Sequence, residues 1–141
     1  WKDSVRNLEE TGEFVWNLVT RKLAAAMNAT SAPARHGVDE FELAGLTPAP
    51  SLKVKPPRVA ESPVAFECRL PQRIRLANAA GEPVDSWLTL GEAVAIHIDR
   101  SLLENGAYNT VLAEPIARGG GPADYFSIGE SQRFRMTRPV K

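Results

Sequence analysis

The strongest β pattern in the chain covers Trp87–Asp99 and limits the folds available to it. Along this segment Val94, Ile96 and Ile98 share one face of a strand, while His97 belongs to the other. A strand has to pair with others to satisfy its backbone hydrogen bonds. The second half of the chain is therefore predicted to build a β-sheet.

The remaining elements are predicted as helices early and strands late. Regular βαβ alternation and glycine-rich phosphate fingerprints are both missing from the sequence, so a doubly wound dinucleotide fold is not expected. The pattern favours one α+β domain over residues 1–141, with helices packed on an antiparallel barrel or sheet. The predicted helices cover Asp3–Glu10, Arg21–Asn28 with Thr20 as cap, and Val38–Gly45 with Asp39 as cap. The other predicted strands cover Phe14–Val19, Pro63–Leu70 and Arg73–Leu76, and Gly91 predicts a bulge in the long strand.

Composition excludes several function classes. The 17 basic and 17 acidic residues give no net charge, which argues against a nucleic-acid partner. Apolar runs are too short for a membrane span, and no signal-peptide pattern is present. The single cysteine, Cys68, is typical of a reducing cytoplasm, and with only two histidines a metal site is not expected.

The first helix offers a candidate anion site. Helix N-termini present unpaired N–H groups and a partial positive charge, to which Lys2 adds a full charge and Ser4 a hydroxyl donor. The alternative is that Asp3 or Ser4 only caps the helix. The residues alone favour the cap.

The residues alone leave more than one role for several other polar side chains. His97 is either a hydrogen-bonded core histidine, the favoured interpretation, or a ligand donor. His36 lies in a loop, and Arg118 precedes three glycines, where it either contacts an anion or belongs to a mobile loop. Arg58 and Glu61 are predicted to form a local ion pair. No triad or nucleophile elbow is found, so no catalytic side chain is assigned.

Several segments together resemble one family. They are Lys2–Val15, Met27–Ser31, Gly37–Leu46, Lys55–Pro63 and Gly91–Asp99. In this order they are similar to flavin reductase-like proteins, the FMN-binding split barrels that include flavoredoxin and the reductase components of two-component monooxygenases. The resemblance weakens after Arg100.

The resemblance implies a six-stranded antiparallel split barrel, a homodimer, and FMN bound near the dimer interface. In the family, an N-terminal portion precedes the first of these segments, and nothing in this sequence corresponds to it, so the barrel is expected to lack its N-terminal strands. The residues that match the family's phosphate and ribityl contacts are Lys2, Asp3, Ser4 and Asn7, and those that match a loop close to the cofactor are Asn28, Thr30 and Ser31.

The implied function is hydride transfer from NAD(P)H to flavin, with the flavin supplying the chemistry. A monooxygenase or another electron acceptor is the implied partner. Two alternatives stay open: an FMN-holding electron carrier without NAD(P)H oxidase activity, and a flavin-free dimeric scaffold of the same fold.

Overall fold

A computed structural model describes residues 3–32 and 37–139, with the side chain of Asp3 outside the description. The chain is a mixed α+β structure made mostly of strands. The helices are α1 (Asp3–Thr11), α2 (Ala24–Thr30), α3 (Glu40–Ala44) and α4 (Thr110–Ala113). The strands are β1 (Glu13–Asn17), β2 (Pro48–Ala49), β3 (Arg58–Val59), β4 (Val64–Ala77), β5 (Pro83–Ile98), β6 (Leu103–Glu104), β7 (Ala107–Tyr108), β8 (Ile116–Arg118) and β9 (Tyr125–Ser127).

The main sheet has three antiparallel strands in the order β1-β4-β5. In its register Trp16 lies opposite Phe66, and Phe66 lies opposite Ile96. The other strands form two-stranded pairs: β2 with β3, β6 with β7, and β8 with β9. The prediction of antiparallel strands with helices is confirmed, and closure into a six-stranded barrel stays a prediction.

A small hydrophobic core lies at the start of β4. Val64, Leu102 and Ala113 are buried together, and Leu18 and Phe66 pack against them.

Among the residues that the structure describes, no helix has the length and apolar character that crossing a bilayer requires.

Two predicted strands, Pro63–Leu70 and Arg73–Leu76, are in fact one. The register passes from Arg69 opposite Glu92 to Gln72 opposite Leu90, so two residues of β4 face Gly91 alone. One of the two is Pro71, which cannot donate a ladder hydrogen bond. A bulge in β4 accommodates the proline and lets the strand continue. The bulge predicted in the long strand at Gly91 is therefore in its partner strand, and Gly91 is the single residue opposite it.

The predicted cap of the second helix is wrong. Thr20 makes no side-chain capping bond, and it precedes a 3₁₀ turn over Arg21–Leu23 before α2 begins. Thr20 is buried and forms an isolated bridge with Pro115, while the Arg21 N–H donates to the carbonyl of Glu114. Tertiary pairing therefore takes the place of the local cap. Asp39, by contrast, caps α3 as predicted, because its side chain accepts from the Phe41 N–H.

The helix α1 is attached to the sheet at both ends of its last turn. Gly12 ends the helix with a φ of 65°, and its carbonyl accepts from the Leu70 N–H of β4. Glu9 forms an ion pair with Arg73, whose guanidinium lies 4.2 Å from the centroid of the Trp87 ring. These contacts set where the exposed face of α1 points.

Gly91 is predicted to tolerate no side chain. A Cβ at this position would stand 3.0 Å from Cε1 of Phe14, closer still to its Cζ, and 3.2 Å from Cβ of Cys68. We expect Gly91→Ala to lower the free energy of unfolding by about 1–3 kcal/mol, the usual effect of overpacking. Urea denaturation measures it.

The matched control is the same substitution in a Phe14→Leu background, where the obstructing ring is gone. There Gly91→Ala should cost clearly less. An equal cost in both backgrounds would contradict the close approach of Phe14.

Candidate functional site

A cavity of about 640 Å³ lies between the helices and the residues that lead into the main sheet. One side is formed by α1, α2 and α3. The opposite side is formed by residues 46–62, here called the wall segment, and the floor by β1. The lining residues are Ser4, Asn7, Leu8, Thr11, Glu13, Phe14, Val15, Asn17, Leu18, Val19, Leu23, Ala26, Met27, Thr30, Glu40, Phe41, Leu46, Pro56, Pro57, Val59 and Ser62.

The helix α1 supplies three of the polar residues that line the cavity. Ser4, Asn7 and Thr11 follow one another at spacings of three and four residues, which places them on one face of a helix. Thr11 Oγ1 donates to the Asn7 carbonyl at 2.7 Å. Ser4 and Asn7 are exposed, so a ligand can reach their side chains.

The helix α2 supplies Thr30 to the same cavity. Its hydroxyl donates to the Met27 carbonyl at 2.8 Å and keeps its lone pairs on the oxygen as acceptors. Asn28 and Ser31 do not line the cavity. Both are exposed, and Ser31 Oγ donates to the Asn28 carbonyl at 2.6 Å.

The structure therefore brings together three of the residues predicted from the sequence: Ser4, Asn7 and Thr30. Lys2 lies outside the described residues. Asp3 begins α1, but its side chain is likewise outside the description.

Apolar and aromatic side chains cover most of the interior of the cavity. Phe14 and Phe41 approach from the floor and from α3, and Leu8 and Met27 from the other two helices. These residues were not predicted as site residues. The signal in the sequence was the amphipathic pattern of the helices, whose apolar faces have to be buried against other parts of the chain.

The wall segment is attached to the sheet by side chains that accept from its backbone. Glu13 Oε2 accepts from the Lys55 N–H at 2.9 Å, and Asn17 Oδ1 from the Val59 N–H at 3.0 Å. The central attachment is Glu67, whose two oxygens accept from consecutive N–H groups at positions 52 and 53, at 2.8 and 2.6 Å. Such bonds from charged carboxylates are among the stronger ones in proteins.

The predicted ion pair between Arg58 and Glu61 is wrong. Arg58 Nε donates to the Pro50 carbonyl at 3.2 Å, and the Glu61 carboxylate accepts from the Thr47 N–H at 3.1 Å. Both side chains bond to backbone groups that would otherwise lack partners along this proline-rich stretch. The hydrogen bonds from Thr47 also lower the pKa of Glu61.

Glu67 is fully buried, and His97 completes its hydrogen bonding. His97 Nε2 lies 2.5 Å from Glu67 Oε1. Burial opposes ionisation of this carboxyl, but the N–H of Leu52, the His97 ring and the N–H of Lys53 outweigh it and lower the pKa of Glu67 to about 2. The carboxylate is therefore charged at neutral pH.

The structure shows hydrogen-bond partners for His97 and Arg118, for which the sequence left two roles each. His97 is partly buried, is hydrogen-bonded to Glu67 and does not border the cavity, which agrees with the favoured structural interpretation rather than with a ligand donor. Arg118 donates to the Pro122 carbonyl at 2.8 Å and so bridges its own loop. His36 lies outside the described residues.

A family model described as flavin reductase like domain matches residues 1–112. The chain belongs to this family. This confirms the resemblance found in the sequence, and the match covers α1, the main sheet and the whole border of the cavity.

Individual flavin reductase-like relatives extend the comparison. An uncharacterized protein of Halalkalibacterium halodurans is 35% identical over 99% of this chain and 65% of its own length. Nitrilotriacetate monooxygenase component B from Bacillus cereus is 34% identical with a TM-score of 0.86, covering 96% of this chain and 65% of that one. The 2-nitrobenzoate 2-nitroreductase NbaA of Pseudomonas fluorescens is 28% identical with a TM-score of 0.80, covering 98% and 65%. The chain thus spans slightly less than two thirds of these relatives.

The buried carboxylate predicts how stability depends on pH. The folded state lowers the pKa of Glu67 from 4.5 to about 2, so its contribution to stability is complete above pH 4.5 and is lost as the pH falls toward 2. We expect the difference in unfolding free energy between the unaltered protein and Glu67→Gln to shrink across this window. Urea unfolding at a series of pH values measures it.

Glu61 and Asp99 also have a lowered pKa, Asp99 because Ser101 donates to it. Their contribution has the same sign and is common to both proteins, so it cancels in the difference. A difference that stays constant between pH 6 and pH 2.5 would contradict the assignment to Glu67.

Proposed function

We propose that this flavin reductase-like chain binds FMN in the cavity and transfers a hydride from NAD(P)H to the flavin. The observation that carries the proposal is that Ser4, Asn7 and Thr30, which match flavin contacts of the family, border one cavity although they come from two helices. Membership of the family supports the flavin as ligand.

The cavity suits the size and chemistry of a flavin. Its volume of about 640 Å³ is within the range of roughly 300–1,000 Å³ that small-molecule sites occupy. Its lining is mainly apolar and aromatic with a few polar groups at the border, which suits a large ring system joined to a polar chain. The residues present therefore fit the cofactor.

The roles of the chain's own residues follow from this arrangement. Ser4 and Asn7 would donate to the phosphate and ribityl oxygens, with Lys2 and the N-terminal N–H groups of α1, which begins at Asp3, adding positive charge. Thr30 would contact the same chain from the last residue of α2. Asn28 lies in the same helix and Ser31 directly follows it, and neither borders the cavity. Phe14, Phe41 and the prolines of the wall segment would exclude water from the ring.

When bound, the flavin would supply the redox chemistry, and no side chain need act as acid or base. Closure of a six-stranded barrel, a homodimer with the flavin near its interface, and a cytoplasmic location belong to the same proposal. The name of the Bacillus cereus neighbour, a monooxygenase component, supports a partner enzyme that consumes the reduced flavin.

Substitutions on α1 test the flavin site. We expect Ser4→Ala and Asn7→Ala each to weaken FMN binding by about fivefold to tenfold, since each removes a hydrogen bond of roughly 1–1.4 kcal/mol. The measurement is a titration of the purified chain with FMN, followed by flavin fluorescence and visible absorption.

The matched control is Glu10→Gln, on the same helix but outside the cavity border. It should leave the affinity unchanged. No binding of FMN to the unaltered chain would contradict the proposal and favour the flavin-free scaffold. Where FMN binds, oxidation of NADH or NADPH in the presence of excess FMN distinguishes a reductase, which turns over, from an electron carrier, which does not.

A further inference from the structure

The wall segment approaches the cavity through a turn that Glu67 attaches to the sheet at two consecutive N–H groups. Glu67 lies near the start of β4, the central strand of the main sheet, opposite Val15 of β1 and Ala95 of β5. Its oxygens accept from the N–H groups of Leu52 and Lys53 at 2.8 and 2.6 Å. The side chain is fully buried, so water does not compete for these bonds.

A charged group in this place has a cost that an apolar one would not have. Desolvation of a carboxylate is repaid only by good hydrogen bonds to every oxygen. Two N–H groups and His97 Nε2 provide them. An apolar residue would fill the same space, but it would leave both N–H groups without an acceptor and would not determine where they lie.

The position of this turn determines where one part of the cavity lining lies. Ser51 Oγ donates to the Pro56 carbonyl at 2.6 Å and closes the turn, so its two ends move together. Pro56 and Pro57 line the cavity. Placing Leu52 and Lys53 therefore places the proline side of the cavity.

We propose that Glu67 is a positioning residue: oriented by His97, it sets the location of Pro56 and Pro57 and, through them, the shape of the flavin site. The inference deepens the proposed function and rests on it. Glu67 itself touches no ligand, because it does not border the cavity.

The test uses Glu67→Gln, which keeps the size of the side chain but turns one oxygen toward the backbone as an NH₂ group. We expect FMN affinity to fall about tenfold, as the loss of one hydrogen bond to a charged group predicts, and the visible spectrum of bound FMN to move toward that of free FMN. Amide hydrogen exchange at Lys55 and Val59 should accelerate by a similar factor, although their own acceptors, Glu13 and Asn17, are unchanged.

The matched control is Glu61→Gln. Glu61 also accepts from a backbone N–H of the wall segment, but it joins two parts of that segment to each other and not to the sheet. It should leave the FMN affinity, the spectrum and the exchange at Lys55 within twofold of the unaltered protein.

A second pair of variants covers the case in which Glu67→Gln does not fold. His97→Ala removes one donor and leaves both backbone bonds, and His97→Gln restores an N–H donor. We expect His97→Ala to weaken FMN binding and to shift the spectrum, and His97→Gln to recover most of both.

The outcomes separate the two proposals. If the unaltered protein binds FMN and these variants bind it with the same affinity and spectrum, the positioning role is overturned while the flavin site stands. If the unaltered protein binds no FMN, the proposed function fails. The amide exchange rates alone then test whether Glu67 positions the wall segment. Unaltered exchange at Lys55 and Val59 would then overturn the link between Glu67 and the wall segment, and accelerated exchange would support it.

Discussion

The buried carboxylate of Glu67 is the interaction on which most of the site depends. An ionised group with no exposed surface is stable only where donors surround it, and here the donors come from different parts of the chain. The register of the main sheet has to bring His97 of β5 next to β4, and the wall segment has to turn where the N–H groups of Leu52 and Lys53 can reach the same carboxylate. One hydrogen-bonded centre therefore joins the sheet, the turn and the wall of the cavity.

The opposite side of the cavity depends on how α1 meets the sheet. Gly12 ends the helix in a left-handed conformation, and its carbonyl accepts a hydrogen bond from the Leu70 N–H. The ion pair between Glu9 and Arg73 attaches the helix to the hairpin of β4 and β5. With the helix placed in this way, the residues at helical spacing, Ser4 and Asn7, form a polar border over an apolar interior. That combination of a polar border and an aromatic interior is typical of small-molecule sites. Membership of the flavin reductase-like family makes a flavin the best-supported ligand.

The sequence predicted the features that local chemistry controls. Asp39 marked the start of α3 correctly, and the alternation near Ile96 marked the long strand. It failed where distant parts of the chain compete with local preference, as at Thr20, whose place is decided by pairing with Pro115. For the site, the helix start indicated Ser4 and the family resemblance added Asn7, whereas Glu67 was missed. Its signal was present, since a glutamate between Phe66 and Cys68 in a predicted strand is a charge among apolar neighbours, but its donors are 14 and 15 residues away along the chain.

We propose that the cavity between α1, α2 and the wall segment is the flavin site. A crystal structure of the chain grown with FMN would show this. We expect electron density for the flavin inside the cavity, with phosphate or ribityl oxygens within hydrogen-bond distance of Ser4 and Asn7. Flavin bound elsewhere on the chain, with the cavity filled by water or closed, would contradict it.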